Sequence, residues 1–113
     1  MYLDVQNYIL DANGEPQIEP DLEQWGRWFE RASKDRTRIV AQDRDERGGV
    51  DVLVSTVFLG LDHNFEAVGP PVLWETMILG GPHDQYQRRY TSRAAALEGH
   101  QEACALAKTP VIK

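Results

Sequence analysis

The chain has 113 residues, of which 42% are hydrophobic and 27% are charged. This size and composition predict one folded domain over residues 1–113 and exclude a disordered chain. No apolar run approaches the roughly 20 residues of a membrane span, and the N-terminal residues lack the regions of a signal peptide. The single cysteine, Cys104, excludes an internal disulfide framework and a Cys-based zinc site. A cytoplasmic protein is expected.

The formal net charge is −6 at pH 7. This charge argues against general nucleic-acid binding, because contacts to phosphates need a basic surface. Acidic residues dominate residues 1–30, whereas basic residues outnumber acidic ones in residues 82–113. The acidic end is either a solvated surface or an interaction face for a basic partner.

The first predicted elements are a short strand at residues 7–10, a tight turn at Asn13-Gly14 and a helix from Asp21 to about residue 32. Asp21 and Gln24 have the spacing of a capping box. The helix has one apolar face at helical spacing, formed by Leu22, Trp25, Trp28, Phe29 and Ala32.

Three strands and a second helix are predicted next. The strands lie at residues 38–42, 50–61 and 72–79, with a polar turn over 43–49 and a Gly80-Gly81-Pro82 terminator. The final helix is capped by Thr91 or Ser92 and runs to about Lys108. The order β-α-β-β-β-α predicts an α+β fold: a small antiparallel sheet of about four strands with two helices packed on one face.

Pairing the two strong strands as a hairpin places Phe58 near Glu75 and Leu59 near Trp74. In this register both faces of the sheet are mostly apolar, although a sheet with one solvated face normally alternates apolar and polar residues. A one-residue slip would reshuffle the pairs. The second face is covered either by helices and loops or by a second subunit, and we predict a homo-oligomer, most simply a dimer.

Several sequence segments form a specific order and spacing. They are residues 54–65 (VSTVFLGLDHNF), 74–78 (WETMI), 80–81 (GG), 89–91 (RYT) and 96–100 (ALEGH), with 25–30 (WGRWFE) in addition. Together these segments resemble a family of small bacteriophage and prophage proteins. The resemblance spans roughly residues 22–107. It implies a phage setting and a cytoplasmic role during infection. It brings no known activity, so no catalytic residue is transferred from it.

A metal cluster of Asp62, His63, Glu75, His83 and Asp84 is the first candidate site, and the predicted geometry excludes it. Asp62 and His63 leave one end of the hairpin, while His83 and Asp84 follow the other end. Eight strand residues span about 26 Å, so one ion cannot take ligands from both pairs. We predict no metal and no cofactor, and expect Asp62 and His63 to cap the loop by hydrogen bonds.

Glu75 and His63 are candidates for buried polar residues. Burying a carboxylate costs several kcal/mol unless it is paired. Glu75 therefore pairs with Arg38, Arg89 or a tyrosine hydroxyl, or else it contacts a ligand or serves as a general base with a raised pKa.

His100 is the third buried polar candidate, and it shares a helix face with Cys104 at i and i+4. No Asp or Ser is placed to complete a nucleophilic set with them, so no catalytic residue is predicted and both are interpreted as packed side chains. Gly99 costs the helix about 1 kcal/mol relative to alanine. Close approach to a bulky aromatic residue of the sheet explains this glycine.

The stretch from Gly80 to Arg93 is a candidate anion site. Its candidate ligand-binding residues are Arg88, Arg89, Tyr90, Arg93, Tyr86 and His83. Helix N-termini and arginine forks favour anions, and tyrosines can stack on a base. No phosphate-loop spacing is present, and ion pairs with the acidic N-terminal half explain the arginines equally well.

The absence of a predicted catalytic set favours a non-enzymatic protein that acts by binding. With the phage setting that the resemblance implies, we expect a phage accessory protein that modulates or inhibits a bacterial host factor, such as a defence system. The first alternative is a protein that sequesters an anionic, nucleotide-like small molecule. The second is a small hydrolase built around Glu75 and His63. The expected partners are a second copy of the chain and either a host protein or an anionic small molecule, without general nucleic-acid or membrane binding.

Overall fold

A computed structural model describes residues 5–46, 50–66 and 68–110. In chain order the elements are β1 (Tyr8–Leu10), β2 (Pro16–Ile18), α1 (Leu22–Lys34), β3 (Ile39–Asp45), β4 (Val52–Phe58), β5 (Trp74–Leu79), β6 (Gln87–Tyr90) and α2 (Arg93–Ala107). Two helices and antiparallel strands make this an α+β fold, as the sequence predicts. Neither helix is long and apolar enough to cross a membrane.

The strands form two antiparallel sheets. A four-stranded sheet has the order β3-β4-β5-β6, and β1 and β2 make a separate hairpin. The hairpin turn contains Gly14 at a φ of 77°, and the Asp11 carboxylate accepts hydrogen bonds from the backbone N–H groups of Asn13 and Glu15. The sequence prediction omitted β2 and β6, because three or four residues are too few to show a strand periodicity.

The register of the central hairpin corrects the predicted one by a single residue. Phe58 lies opposite Trp74 and Val57 lies opposite Glu75, rather than Phe58 opposite Glu75. Because successive strand residues point to opposite faces, this shift changes which side chains share a face. Alternate residues of β4 and β5 therefore face α2, and they are Val54, Thr56, Phe58, Trp74, Thr76 and Ile78.

Both helices begin at the predicted capping residues. The Asp21 carboxylate accepts from the backbone N–H groups of Glu23 and Gln24 at the start of α1. The Ser92 hydroxyl accepts from the N–H of Ala95 at the start of α2. Each cap satisfies backbone donors that the first turn leaves unpaired.

Helix α2 lies directly against one face of the four-stranded sheet, and α1, which lies against β1, reaches the same face through Trp28. Trp28 of α1 meets Phe58 edge-on, with ring centroids 5.9 Å apart. Ala96 of α2 packs into the same cluster, and Ala103 packs farther along against Val54. The core therefore lies between this face and the two helices.

Gly99 lets α2 approach the sheet closely. A methyl group at this position would overlap the hydroxyl and ring of Tyr90, so the predicted contact with a bulky aromatic residue is confirmed. Tyr90 is 5% exposed, and its hydroxyl has no hydrogen-bond partner within the described residues.

We expect Tyr90→Phe to raise the free energy of unfolding by about 1 kcal/mol. A buried hydroxyl without a partner keeps its desolvation cost, and phenylalanine removes that cost while preserving the ring. Urea unfolding of the two proteins measures the difference. A loss of stability of the same size would mean that the hydroxyl is hydrogen-bonded in solution.

Candidate functional site

A chain of polar side chains crosses the core between the sheet and α2. It is formed by Asp43 of β3, Thr56 of β4, Thr76 of β5 and His100 of α2. His100 Nε2 lies 2.7 Å from Asp43 Oδ2, and His100 Nδ1 lies 2.7 Å from the Thr56 hydroxyl. The Thr56 and Thr76 hydroxyls are 2.6 Å apart. Each of these four side chains thus has a hydrogen-bond partner.

The fold brings these four residues together by simple periodicity. Thr56 lies opposite Thr76 in the β4–β5 ladder, so both hydroxyls point to the α2 side. Asp43 lies opposite Val54 and points the same way. His100 follows Gly99, whose close approach to the sheet brings the imidazole ring within reach of Thr56.

The order carboxylate, imidazole, hydroxyl is that of a nucleophilic triad. However, Thr56 and Thr76 are both fully buried, and His100 is only 1% exposed. A substrate carbonyl must reach the nucleophile at bonding distance, which a hydroxyl without accessible surface does not allow. These four side chains therefore form a mostly buried, fully hydrogen-bonded polar cluster rather than a nucleophilic centre.

One end of the polar chain reaches the surface. The side chain of Asp43 is 64% exposed, and the Cys104 thiol lies 3.5 Å from its Oδ2 atom. The hydrogen bond from His100, followed by that from Cys104, lowers the pKa of Asp43. Burial, followed by the charge of Asp43, raises the pKa of Cys104 to about 11. At neutral pH the thiol is protonated and weakly nucleophilic.

Asp43 and Cys104 open onto a groove of about 310 Å³ between β3 and the last turns of α2. Gln101 and Lys108 also line this groove. Polar and charged side chains thus surround the exposed end of the polar chain, which makes it the best-formed candidate site in the described residues.

The structure does not bring the predicted anion-binding arginines together. Arg88 and Arg89 are neighbours in β6, so they point to opposite faces of the sheet. Arg88 pairs with Glu102 of α2 at 2.6 Å, and Arg89 pairs with Glu75 of β5 at 2.9 Å. Both guanidinium groups already have carboxylate partners, although not in the acidic N-terminal half.

The other predicted ligand-binding residues are also dispersed. Tyr90 is buried beneath α2, and Tyr86 packs against the cluster of Val54 and Ile78. His83 Nε2 bonds to the carbonyl of Thr109, whereas Arg93 is exposed at the start of α2. These residues do not line one shared site, and anion binding by them stays a prediction.

The remaining polar candidates have structural partners. Glu75 is 12% exposed in its side chain and pairs with Arg89, one of the three predicted partners. Asp62 Oδ1 accepts from the backbone N–H groups of Asn64 and Val72, which closes the loop after β4 as expected. His63 Nδ1 bonds to the carbonyl of Leu61.

The second face of the four-stranded sheet, here called the open face, is the other notable surface. Its members are Ile39, Gln42, Arg44, Leu53, Ser55, Val57, Glu75, Met77, Leu79, Gln87 and Arg89. Both helices lie on the opposite side, and no helix or strand of the described ranges covers it. Five of these residues are apolar and six are polar, so the open face is mixed rather than mostly apolar as predicted, because the one-residue register shift exchanges the side chains between faces. Leu53, Val57 and Met77 are partly exposed, and Leu79 is 42% exposed.

Asp43 is not predicted from the sequence as a partner of His100 and Cys104. The sequence predicts a polar turn over residues 43–49, whereas β3 continues through Asp45. The available sequence signal is the i, i+4 pair of His100 and Cys104. The third residue, Asp43, is not recognisable because the polar composition of its strand resembles that of a turn. No protein-family model, curated protein or solved structure matches this chain.

Proposed function

We propose that this protein acts by binding other proteins rather than by catalysis, and that it does so as a homodimer joined through the open face. The observation that carries the proposal is the uncovered face of the four-stranded sheet. Antiparallel sheets with one solvated face normally carry polar residues there. Here the two central strands place Leu53, Val57 and Met77 on that face beside Ser55 and Glu75, so apolar side chains are mixed with polar ones.

The difference in side-chain exposure between the two faces of the sheet supports a binding partner on the open face. Side chains facing the helices, such as Val54, Phe58 and Ile78, are at most 3% exposed. Their open-face neighbours Val57 and Met77 keep partial exposure because no helix or strand within residues 5–46, 50–66 and 68–110 covers them. Removing this apolar surface from water favours association, against the freedom that two molecules lose on binding.

A second copy of the chain fits the charges of the open face. Glu75 and Arg89 form an ion pair beside the apolar centre, so the face carries both signs of charge. In a two-fold arrangement each copy presents the same patch, and Glu75 of one copy can approach Arg89 of the other. A face of mixed sign is thus complementary to itself.

Light scattering tests the dimer directly. We expect at least twice the 12.8 kDa chain mass at micromolar concentration. Met77→Lys should give the monomer mass with an unchanged circular dichroism spectrum, because it places a charge at the centre of the contact. Leu97→Lys, on the exposed side of α2, is the matched control and should remain dimeric. A monomeric wild-type chain, or dissociation by Leu97→Lys alone, would refute this assembly.

The resemblance to phage and prophage proteins gives the dimer its proposed role. We infer that it binds a bacterial host protein in the cytoplasm and inhibits or modulates it. The exposed acidic side chains of the N-terminal part, among them Glu15, Glu23 and Glu30, favour a basic partner.

Affinity purification from host lysate followed by mass spectrometry tests this role. An enriched protein should be lost with Glu15→Lys combined with Glu30→Lys, and retained with Glu98→Lys as the control for charge. A co-purifying nucleotide would instead support the sequestering alternative. A partner that is insensitive to the charge reversals would contradict recognition by the acidic surface.

A further inference from the structure

The geometry points to a binding site for a zinc-type divalent metal ion at Asp43, His100 and Cys104, where β3 meets the second half of α2. One carboxylate oxygen, one imidazole nitrogen and one sulfur lie within 4.8 Å of one another. These are the ligand atoms that zinc takes in proteins. The site lies on the helix-covered face, so it is independent of the proposed dimer contact.

The spacing of the residues suits a single ion. His100 and Cys104 are one helical turn apart, so their side chains lie side by side. With metal–ligand distances of about 2.0–2.3 Å, neighbouring ligand atoms of a tetrahedral site lie roughly 3.3–3.7 Å apart. The sulfur-to-oxygen distance to Asp43 is already 3.5 Å. The oxygen lies 2.7 Å from His100 Nε2 and can retreat, because the Asp43 side chain is 64% exposed.

The buried part of the polar chain would orient the imidazole ligand. Metal-bound histidines usually donate their other N–H group to a hydrogen-bond acceptor, which fixes the ring. His100 Nδ1 lies 2.7 Å from the Thr56 hydroxyl, which in turn lies 2.6 Å from that of Thr76. Since hydroxyl protons rotate, Thr56 can accept from Nδ1 and donate to Thr76. In this tautomer Nε2 carries no proton, so it can bind the ion once its hydrogen bond with Asp43 is broken.

Three protein ligands leave the fourth position of a tetrahedral ion open. Asp43 and Cys104 both line the groove of about 310 Å³, so that position would face solvent there. Lys108 lines the same groove. Arg44 and Asp45 line it as well, so the groove carries both signs of charge and water would complete the coordination.

This site differs from the metal cluster that the sequence suggested and its geometry excluded, which consisted of Asp62, His63, Glu75, His83 and Asp84. A single cysteine excludes a site made of several cysteines. A mixed site needs only one cysteine. The third ligand, Asp43, lies 57 residues from His100 in sequence and becomes visible only once β3 is paired with β4.

Titration of the tag-free protein with Co²⁺, which replaces zinc spectroscopically, tests the site. We expect one ion per chain and a sulfur-to-cobalt charge-transfer band that Zn²⁺ abolishes by displacement. Zn²⁺ should also raise the melting temperature, because a ligand bound only by the native state stabilises it. Mg²⁺, which prefers oxygen ligands, should do neither.

Variants assign the ligands. Cys104→Ser should remove the charge-transfer band. Asp43→Asn should lower the metal affinity at least about 10-fold, because replacing even a residue that only hydrogen-bonds to a ligand lowers metal affinity by about that much. His83→Gln is the matched control, because His83 lies outside the cluster and should leave binding unchanged. Absence of the band in the wild-type protein, or loss of binding in His83→Gln but not in Cys104→Ser, would overturn the assignment.

Discussion

We expect Gly99→Ala to lower the free energy of unfolding by about 2 kcal/mol, which corresponds to roughly 10 °C in the melting temperature. The added methyl group would overlap the ring and hydroxyl of Tyr90, which is almost completely buried. Either the tyrosine leaves its rotamer or α2 moves away from the sheet. Both cost more than the roughly 1 kcal/mol that alanine contributes to helix stability.

Gly26→Ala provides the matched control, since Gly26 also lies within a helix but has open space where the methyl group would go. There only the helix propensity changes, and stability should rise by about 0.5–1 kcal/mol. Thermal unfolding by circular dichroism compares the two variants. The two changes in melting temperature should have opposite signs but need not be equal in size. A stabilising Gly99→Ala would show that α2 does not approach Tyr90 in solution.

The local elements of this fold could be predicted, because they depend on residues close in sequence. The capping patterns at Asp21 and Ser92 gave correct helix starts. The β-branched runs gave β4 and β5. Gly99 correctly predicted a close contact between the last helix and an aromatic residue of the sheet. A glycine within a helix lowers its stability, so its presence indicates a position with no room for a side chain.

The pairing of distant elements could not be predicted with the same accuracy. Two apolar strands accept either of two registers with similar burial, so the predicted pairing of Phe58 was wrong by one residue. The strand at β1 and the turn at Asn13-Gly14 were predicted, but the partner strand β2 was not, because its three residues are too few for a pattern. Asp43 was hidden for a related reason, because β3 is an edge strand with exposed polar residues.

The second large effect is expected in the polar chain, at Thr56→Val. Valine keeps the shape of threonine but removes the hydroxyl that links His100 to Thr76. Two buried polar groups would then lose their hydrogen-bond partner. Leaving such groups unsatisfied costs about 1–3 kcal/mol each, so we expect a loss of about 3 kcal/mol in the free energy of unfolding.

Thr76→Val distinguishes a linked chain from separate contacts. Its hydroxyl bonds to Thr56 alone among the described side chains, and Thr56 keeps His100 as a partner when Thr76 is replaced. The single variant should therefore lose only about 1 kcal/mol. In the Thr56→Val, Thr76→Val double variant the stranded Thr76 hydroxyl is gone, so the total loss should not exceed that of Thr56→Val alone. Urea unfolding of the four proteins measures the coupling between the two sites. Strictly additive losses would mean that the two hydroxyls act independently and that Thr76 does not orient Thr56 toward His100.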